Sequence, residues 1–462
     1  MSKKFNITFK NVKNYSNKFN KKKTNKVFKN VNTKIPFKNL VLKSDYIQDK
    51  KRIFKKFIDV KTLPTDQKNS GRCWIFAFLN IIRINMIKKY KLENFEFSQN
   101  YLFFYDKLEK ANYFLNAIYD RKKNNIHNVK KYNIEDIKLI DIFENATNDG
   151  GHWELFSGLV EKYGLIPKTN MDDNFHSKHS HDLQDFFNNF LKKAGKQILE
   201  SNIERSKLIN SLLYECYKIL VLFLGEPPKK ITWQYYELKK NKKKQKVIEN
   251  ISPLDFYKKY VPYNTKDKIC LINYPCPNID YYKLYNVELD YSLINTELRN
   301  YINVPMNDIL ESIKKSIDAN EAIWTGLDWS KYNSSKEGIL DQKAFNYKDI
   351  FEFTNKMKKC DSLKYRQSYP THAVVIRGYN FDKGKTNGFL IENSHGKEDK
   401  DFKENYYMSL DWFNEYVYII VVDKKFVNSK IIKSLNKKPI TLPYWSPFGS
   451  LMKGGIIDYN YS

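Results

Sequence analysis

Two stretches about three hundred residues apart hold the side chains best suited to chemistry. Residues 67–80 read Gln-Lys-Asn-Ser-Gly-Arg-Cys-Trp-Ile-Phe-Ala-Phe-Leu-Asn. The Ser70-Gly71 pair marks a turn, and from Cys73 to about Tyr90 the sequence is apolar on nearly every face. That pattern predicts a turn feeding a buried helix with Cys73 in its first turn. The positive end of a helix favours thiolate over thiol, help that a cysteine near its free pKa of about 8.5 needs to act as a nucleophile. Downstream, 371–379 read Thr-His-Ala-Val-Val-Ile-Arg-Gly-Tyr and 389–396 read Phe-Leu-Ile-Glu-Asn-Ser-His-Gly. These are two strand-like runs, one opening at His372 and the other closing at Asn393. A cysteine nucleophile requires a base that takes its proton and delivers it to the leaving amine. His372 suits that task, and the side-chain carbonyl of Asn393 can hold the imidazole in one tautomer. Taken singly, Cys73 reads as an inert packed thiol and His372 as a structural histidine. Together with Gln67 and Asn393 they point to nucleophilic catalysis.

The window around Cys73 resembles the cysteine site of papain-like peptidases, and within them the bleomycin hydrolase/aminopeptidase C family. Cys73, His372 and Asn393 follow the chain order and the local contexts of that family. The resemblance implies that Gln67 and the backbone amide of Cys73 form an oxyanion hole for the tetrahedral intermediate. It also implies that Gly150-Gly151, within Asn148-Asp-Gly-Gly-His-Trp153, lines the substrate cleft; an ordinary turn is the other reading of that pair. Further matching segments are Glu96-Phe-Ser-Gln-Asn-Tyr-Leu-Phe-Phe-Tyr-Asp106, Glu161-Lys-Tyr-Gly-Leu-Ile-Pro-Lys168 and Gly225-Glu-Pro-Pro-Lys-Lys with Trp233. Asp267-Lys-Ile-Cys-Leu-Ile-Asn273 and Trp412-Phe-Asn-Glu-Tyr-Val-Tyr418 extend the likeness, which runs from about residue 45 to residue 451. Simple papain-like enzymes place His and Asn about 130–150 residues beyond the Cys. Here His372 follows Cys73 by 299 residues, so a domain-sized insertion separates the two parts of the site, as in this subfamily.

Two departures stand out. Papain-like enzymes usually carry Trp two residues after the Asn, where it shields the Asn–His hydrogen bond from water; this chain has His395, which covers less. Family members typically end in a Trp-x-Pro-x-Gly-Ala-Leu-type segment whose final carboxylate holds the substrate's α-amino group. Leu442-Pro-Tyr-Trp-Ser-Pro-Phe-Gly-Ser-Leu451 resembles it, but the chain runs on from Met452 through Lys453 to Ser462. Either the tail is trimmed after about Leu451 or Met452, or it turns out of the cleft at Gly454-Gly455. In the second case Asp458 or the Ser462 carboxylate supplies the charge.

Composition sets the frame for these motifs. The chain has 462 residues, 42% of them hydrophobic and 16% aromatic, enough for a sizeable core despite a mean hydropathy of -0.64. No run approaches 18 apolar residues and the N-terminus lacks an apolar leader, which predicts neither a membrane span nor a signal peptide. Five scattered cysteines, an odd number that includes a free nucleophile, predict a reducing, cytoplasmic setting rather than a disulfide framework. The net charge of +28, with lysine clusters at Lys21-Lys22-Lys23, Lys239-Lys240 and Lys242-Lys243-Lys244, admits non-specific attraction to nucleic acid. A general Lys, Asn, Ile and Tyr bias, as AT-rich codons produce, explains the same charge without a function. His176, His179 and His181 cluster without the Cys or carboxylate pattern of a metal site and read as a surface loop. The chemistry inferred above requires no metal and no cofactor.

The fold expected is α+β, a papain-like two-lobed structure with a helical left half and a β-barrel-like right half. Residues 1–45 read as a Lys/Asn-rich arm, extended or partly mobile, 46–170 as the helical half with the nucleophile and 171–300 as a helical insertion. Residues 301–440 read as the β half with His372 and Asn393, and 441–462 as a tail reaching the cleft. Helices are expected near Leu183 to Leu199, Ser201 to Leu224 and Met306 to Ala319, with a Lys-rich loop at 239–246. Strands are expected at Ala322–Leu327, Ala373–Tyr379, Gly388–Glu392 and Tyr416–Val422. The resemblance implies a cysteine aminopeptidase acting on peptides, assembled as a hexamer with its sites facing an inner channel. An endopeptidase with an unrestricted cleft, or a nucleic-acid-binding scaffold on an inactive peptidase fold, are the competing readings.

Overall fold

The structure, a computed structural model, describes residues 4–50, 52–124, 133–239, 242–290, 293–294, 300–396 and 405–452. Its axis is the helix Cys73–Tyr90. Thirteen of that helix's eighteen residues are buried, which is why the run shows no polar face in the sequence. The helix starts directly after the Ser70-Gly71 turn and stops where Lys91 turns left-handed (φ 51°) and returns its N–H to Ile87. On one side it packs against the helices Gln99–Asp120 and Trp153–Tyr163, with Phe78 meeting Trp153 and Phe156, and the helices His181–Glu200 and Arg205–Leu224 pack in turn on Gln99–Asp120. The bend after Trp153–Tyr163 requires glycine: Gly164 sits at φ +77°, and a Cβ there would lie 2.3 Å from the Pro253 carbonyl.

The other side of the helix meets a twelve-stranded sheet. Its centre is the strand Ile323–Leu327, whose Trp324 stacks on Phe78 with ring centroids 4.7 Å apart. Strands His372–Asp382 and Val417–Asp423 flank it, both antiparallel, with His372 opposite Leu327. His372–Asp382 pairs in turn with Lys385–Glu392, which brings the end of that strand back beside Val375. Val417–Asp423 is buried on both faces, as a continuous Val/Ile run requires of a central strand. A buried ion triad ties the layers together: Arg83 of the helix and Arg377 each bind one oxygen of Glu392 at 2.8 Å. No described helix is long and apolar enough to cross a membrane.

The expected helices and strands of both halves are present within a few residues of their predicted ends. Three expectations are corrected. Residues of the N-terminal arm form helices, Phe9–Lys21 and Lys23–Asn32, the first opened by a reciprocal Thr8–Asn11 cap. Its Lys22 pairs with Glu352 at 2.5 Å, and Phe19 and Phe28 line a cleft with Phe37 and Phe351. The Lys-rich stretch at 239–246 belongs to a hairpin, Ile231–Lys239 with Lys242–Ile251, not to a loop. Ile231 and Trp233 are buried while Thr232 and Gln234 are exposed, a period-two pattern that the lysines beyond conceal. The stretch 171–300, mostly helical, also lends the strands Lys268–Ile272 and Leu284–Val287 to the main sheet. The third correction concerns the thiols: Cys276 and Cys360, 84 residues apart, are joined as a disulfide, leaving Cys73, Cys216 and Cys270 free.

Candidate active site

Cys73 is the first residue of its helix and remains partly exposed while the residues after it are buried. Its sulfur is within hydrogen-bonding reach of the amides of Trp74 and, across the cleft, of Ala373. The start of the nucleophile helix therefore abuts the start of the strand that carries His372. Arg72, just before the cysteine, is fully buried; it pairs with Asp173, and its Nε donates to Ser70 Oγ at 2.9 Å. The turn that presents the thiol is thus anchored by charge as well as by shape.

His372 Nε2 lies 2.7 Å from Asn393 Oδ1. The same oxygen accepts the backbone N–H of Ser394 at 2.9 Å, so it is the amide's oxygen that faces the ring. Nε2 must then carry the proton, and the lone pair sits on Nδ1, the nitrogen left to act as base. Two other rings touch His372. His395 stacks on it at 5.4 Å and 21°, and Trp329 tilts against it at 5.1 Å. Asp66 bridges to His395 and binds Lys68 at 2.6 Å.

Gln67 is buried, with its backbone N–H bonded to Ser394 O at 2.8 Å and its Nε2 to Ser70 O at 2.7 Å. One side-chain N–H is thereby committed, which leaves the second proton of the amide. Gly151 lies against the Trp74 ring, where a Cβ would come within 2.5 Å of the indole. The Trp74 indole N–H donates to Asp149 O at 2.8 Å, and Lys110 Nζ donates to Gly150 O at 2.6 Å. Gly150 and Gly151 are therefore stitched to the residue that follows the cysteine.

Asp149 is a residue the sequence reading missed. Fully buried, it binds Lys107 at 2.5 Å, accepts from Ser180 Oγ, and accepts the Gly71 N–H at 3.3 Å. Against the desolvation that burial imposes, Lys107 and Ser180 hold its carboxyl below the usual carboxylate range. One carboxylate thus joins the turn before Cys73 to the Gly150-Gly151 segment. Nothing in the local sequence marked it, because a buried aspartate in a loop looks like a solvated one.

Burial pushes both members of the pair toward neutrality. The Cys73 thiol rises to about 11 by desolvation, opposed by the amides around it. The His372 imidazole falls to about 3 by desolvation and by the nearby His395, opposed by Asn393. Burial thus disfavours the charged form of each group taken alone. A stability prediction follows. Between the ordinary imidazole value of about 6.5 and about 3, the unfolded chain binds a proton at His372 that the folded chain refuses. Folding stability is therefore expected to fall as pH drops through that window, and less steeply in His372→Gln. Thermal unfolding of both proteins from pH 7 to 4 measures this; parallel curves would place the charge change elsewhere.

The three clustered histidines do not converge. His179 stacks on Phe175, His176 meets Phe223 edge-on, and His181 pairs with Asp185 at 3.3 Å, where a short helix passes into the helix His181–Glu200. Of the tail, the helix Pro447–Met452 is described. Phe448 is buried among Tyr274, Tyr285 and Tyr301, and Tyr301 in turn meets His152, the neighbour of Gly151. Residues 453–462, and with them both expectations for the tail's end, lie outside the described residues.

A helical layer that offers a cysteine to a sheet bearing a hydrogen-bonded histidine–asparagine pair is the architecture of a papain-like cysteine peptidase. The chain belongs to the Peptidase C1-like family, which it matches over residues 6–449. It is 33% identical to bleomycin hydrolase of Rattus norvegicus over 436 residues, covering 91% of this chain and 94% of that protein. It is 34% identical to aminopeptidase C of Listeria monocytogenes over 392 residues, 84% and 86% of the two chains. Among solved structures, PepW from Lactobacillus rhamnosis HN001 superposes with a TM-score of 0.88 at 28% identity, covering 96% of this chain and 99% of that one.

Proposed function

We propose that this chain is a cysteine aminopeptidase that removes N-terminal residues from peptides through an acyl-enzyme at Cys73. The observation that carries the reading is the 2.7 Å His372–Asn393 bond on the strand whose Ala373 amide meets the Cys73 sulfur. Cys73 adds to the carbonyl carbon while its proton passes to His372 Nδ1. The oxyanion is held by the Cys73 amide and the remaining Gln67 N–H, with Gly150 and Gly151 along the substrate backbone. Collapse expels the amine, protonated by His372, and leaves a thioester. Water, deprotonated by the same imidazole, then releases the acid. Relatives named aminopeptidase C and bleomycin hydrolase support the exopeptidase reading.

Free-amine and N-blocked aminoacyl fluorogenic substrates, assayed with and without a thiol alkylator, test it. Alkylator-sensitive cleavage of the free-amine substrate alone is expected; equal cleavage of both makes the chain an endopeptidase. Losing one oxyanion donor typically costs about 10²–10³ in kcat. Gln67→Ala is expected to lose that much while Cys73 still alkylates, and a loss below about threefold would remove Gln67 from the site.

The tail fits this reading, since Phe448 docks beside the layer that carries Gly151 and His152. We favour self-trimming after about Leu451 or Met452 as the source of a carboxylate at the right depth. Intact mass of wild type and Cys73→Ala decides it, because only the former would be shortened. The family resemblance supports a hexamer, which light scattering tests. It also supports a cytoplasmic location. The basic surface supports at most salt-sensitive, sequence-independent contact with nucleic acid.

A further inference from the structure

We propose that Trp329 is the positioning residue that keeps water from the His372–Asn393 hydrogen bond, with His395 as a thinner second cover. The inference rests on the peptidase reading above and assigns a role to a residue outside every motif in the sequence. The orienting bond runs from a partly buried His372 to a buried Asn393 beside an exposed His395, so solvent approaches it from the histidine side. An imidazole whose Nε2–H is reached by water can exchange Asn393 for solvent and rotate, and Nδ1 then loses the orientation that a base for Cys73 requires. Position 395, where a tryptophan would cover this bond, offers only a five-membered ring.

Trp329 supplies the larger ring from a different part of the chain. Its indole contacts His372 at 5.1 Å and is braced from another side by Tyr406, also at 5.1 Å. Its backbone is fixed against the same strand: the Trp329 N–H donates to Thr371 Oγ1 at 3.0 Å, and Thr371 N–H donates to Leu327 O at 2.9 Å. Asp328, the preceding residue, binds Ser368 Oγ at 2.6 Å and caps Ser330, so the turn that carries the indole has little freedom. The ring is thus held by a built network one residue away from His372. The ionisable groups facing His395 are His372 and Asp66, the latter already paired with Lys68.

The test compares Trp329→Leu, Trp329→Phe, His395→Trp and the Trp329→Leu/His395→Trp double variant in the full-length protein. Three quantities are read: kcat and KM on a free-amine substrate, the pH profile of Cys73 carboxymethylation by iodoacetamide, and thermal unfolding. A misaimed base costs about ten- to a hundredfold. Trp329→Leu is expected to lose that much in kcat and in the alkylation rate at pH 7, with KM within about twofold of wild type. Trp329→Phe should retain most of both rates, and His395→Trp should restore the double variant. Wild-type kcat and alkylation in Trp329→Leu would overturn the proposal. So would an equal loss in the double variant, which would reduce Trp329 to packing against Tyr406. If Trp329→Leu does not fold, Trp329→Phe against Trp329→Phe/His395→Trp carries the same comparison. Absence of any Cys73-dependent hydrolysis in wild type would instead refute the peptidase reading.

Discussion

Cys73→Ala is expected to lose about 10⁶-fold in kcat on free-amine aminoacyl substrates, the order of loss when a nucleophile is removed from residues that act as a unit. The protein should stay folded, since Cys73 is partly exposed and one sulfur is a small deletion beside Ile75 and Phe78. In wild type, iodoacetamide should label Cys73, which is partly exposed, ahead of Cys216 and Cys270, which are buried. Peptide mapping of the labelled protein measures this. Equal labelling of all free thiols, together with unchanged turnover in Cys73→Ala, would end the peptidase reading.

The second large effect is on stability. Glu392→Leu is expected to cost about 3–5 kcal/mol, because it leaves two buried guanidinium groups without their counter-charge. Arg83 and Arg377 meet on the carboxylate of Glu392 at 2.8 Å each, and Arg377 further donates to Thr62 Oγ1 at 3.0 Å. Urea unfolding of wild type and variant reads the cost, and a change below about 1 kcal/mol would show that solvent reaches the arginines. Replacing all three residues by apolar ones of similar volume should recover much of the loss, since a well-packed core often equals a buried ion group. Activity is also expected to suffer, because Glu392 stands next to Asn393 and bridges to the helix that begins at Cys73.

The nucleophile helix and the strands at His372 and Asn393 were legible because burial on all sides leaves an unbroken apolar run, and a turn marks where each begins or ends. What escaped was written in residues that look solvated in one dimension. Glu392, Arg83 and Asp149 carry charge, yet each is buried, and only the fold reveals its partner. Trp329 follows an ordinary strand, and its ring becomes relevant only once Ile323–Leu327 and His372–Asp382 lie side by side. The helices of the N-terminal arm were hidden by lysine and asparagine on most faces. The hairpin was hidden by lysines that interrupt its alternation, and the Cys276–Cys360 bridge by 84 residues of separation.

The helix that bears the nucleophile also ties the site to a distant hairpin. At eighteen residues it spans about 27 Å, and its far end is held by aromatic contact, with Tyr90 meeting Trp233 at 5.0 Å and Tyr235 at 5.3 Å on the lysine-bearing hairpin. Tyr90 Oη also donates to Tyr260 O at 2.8 Å. Lys88 and Lys89 beside it are exposed, so these aromatic contacts, rather than burial on every side, hold the last turn. A displacement of about 1 Å at a reacting atom is worth about a hundredfold in rate. The position of the sulfur along the helix axis is thus set in part by packing about 27 Å away, at a hairpin that lies outside the site.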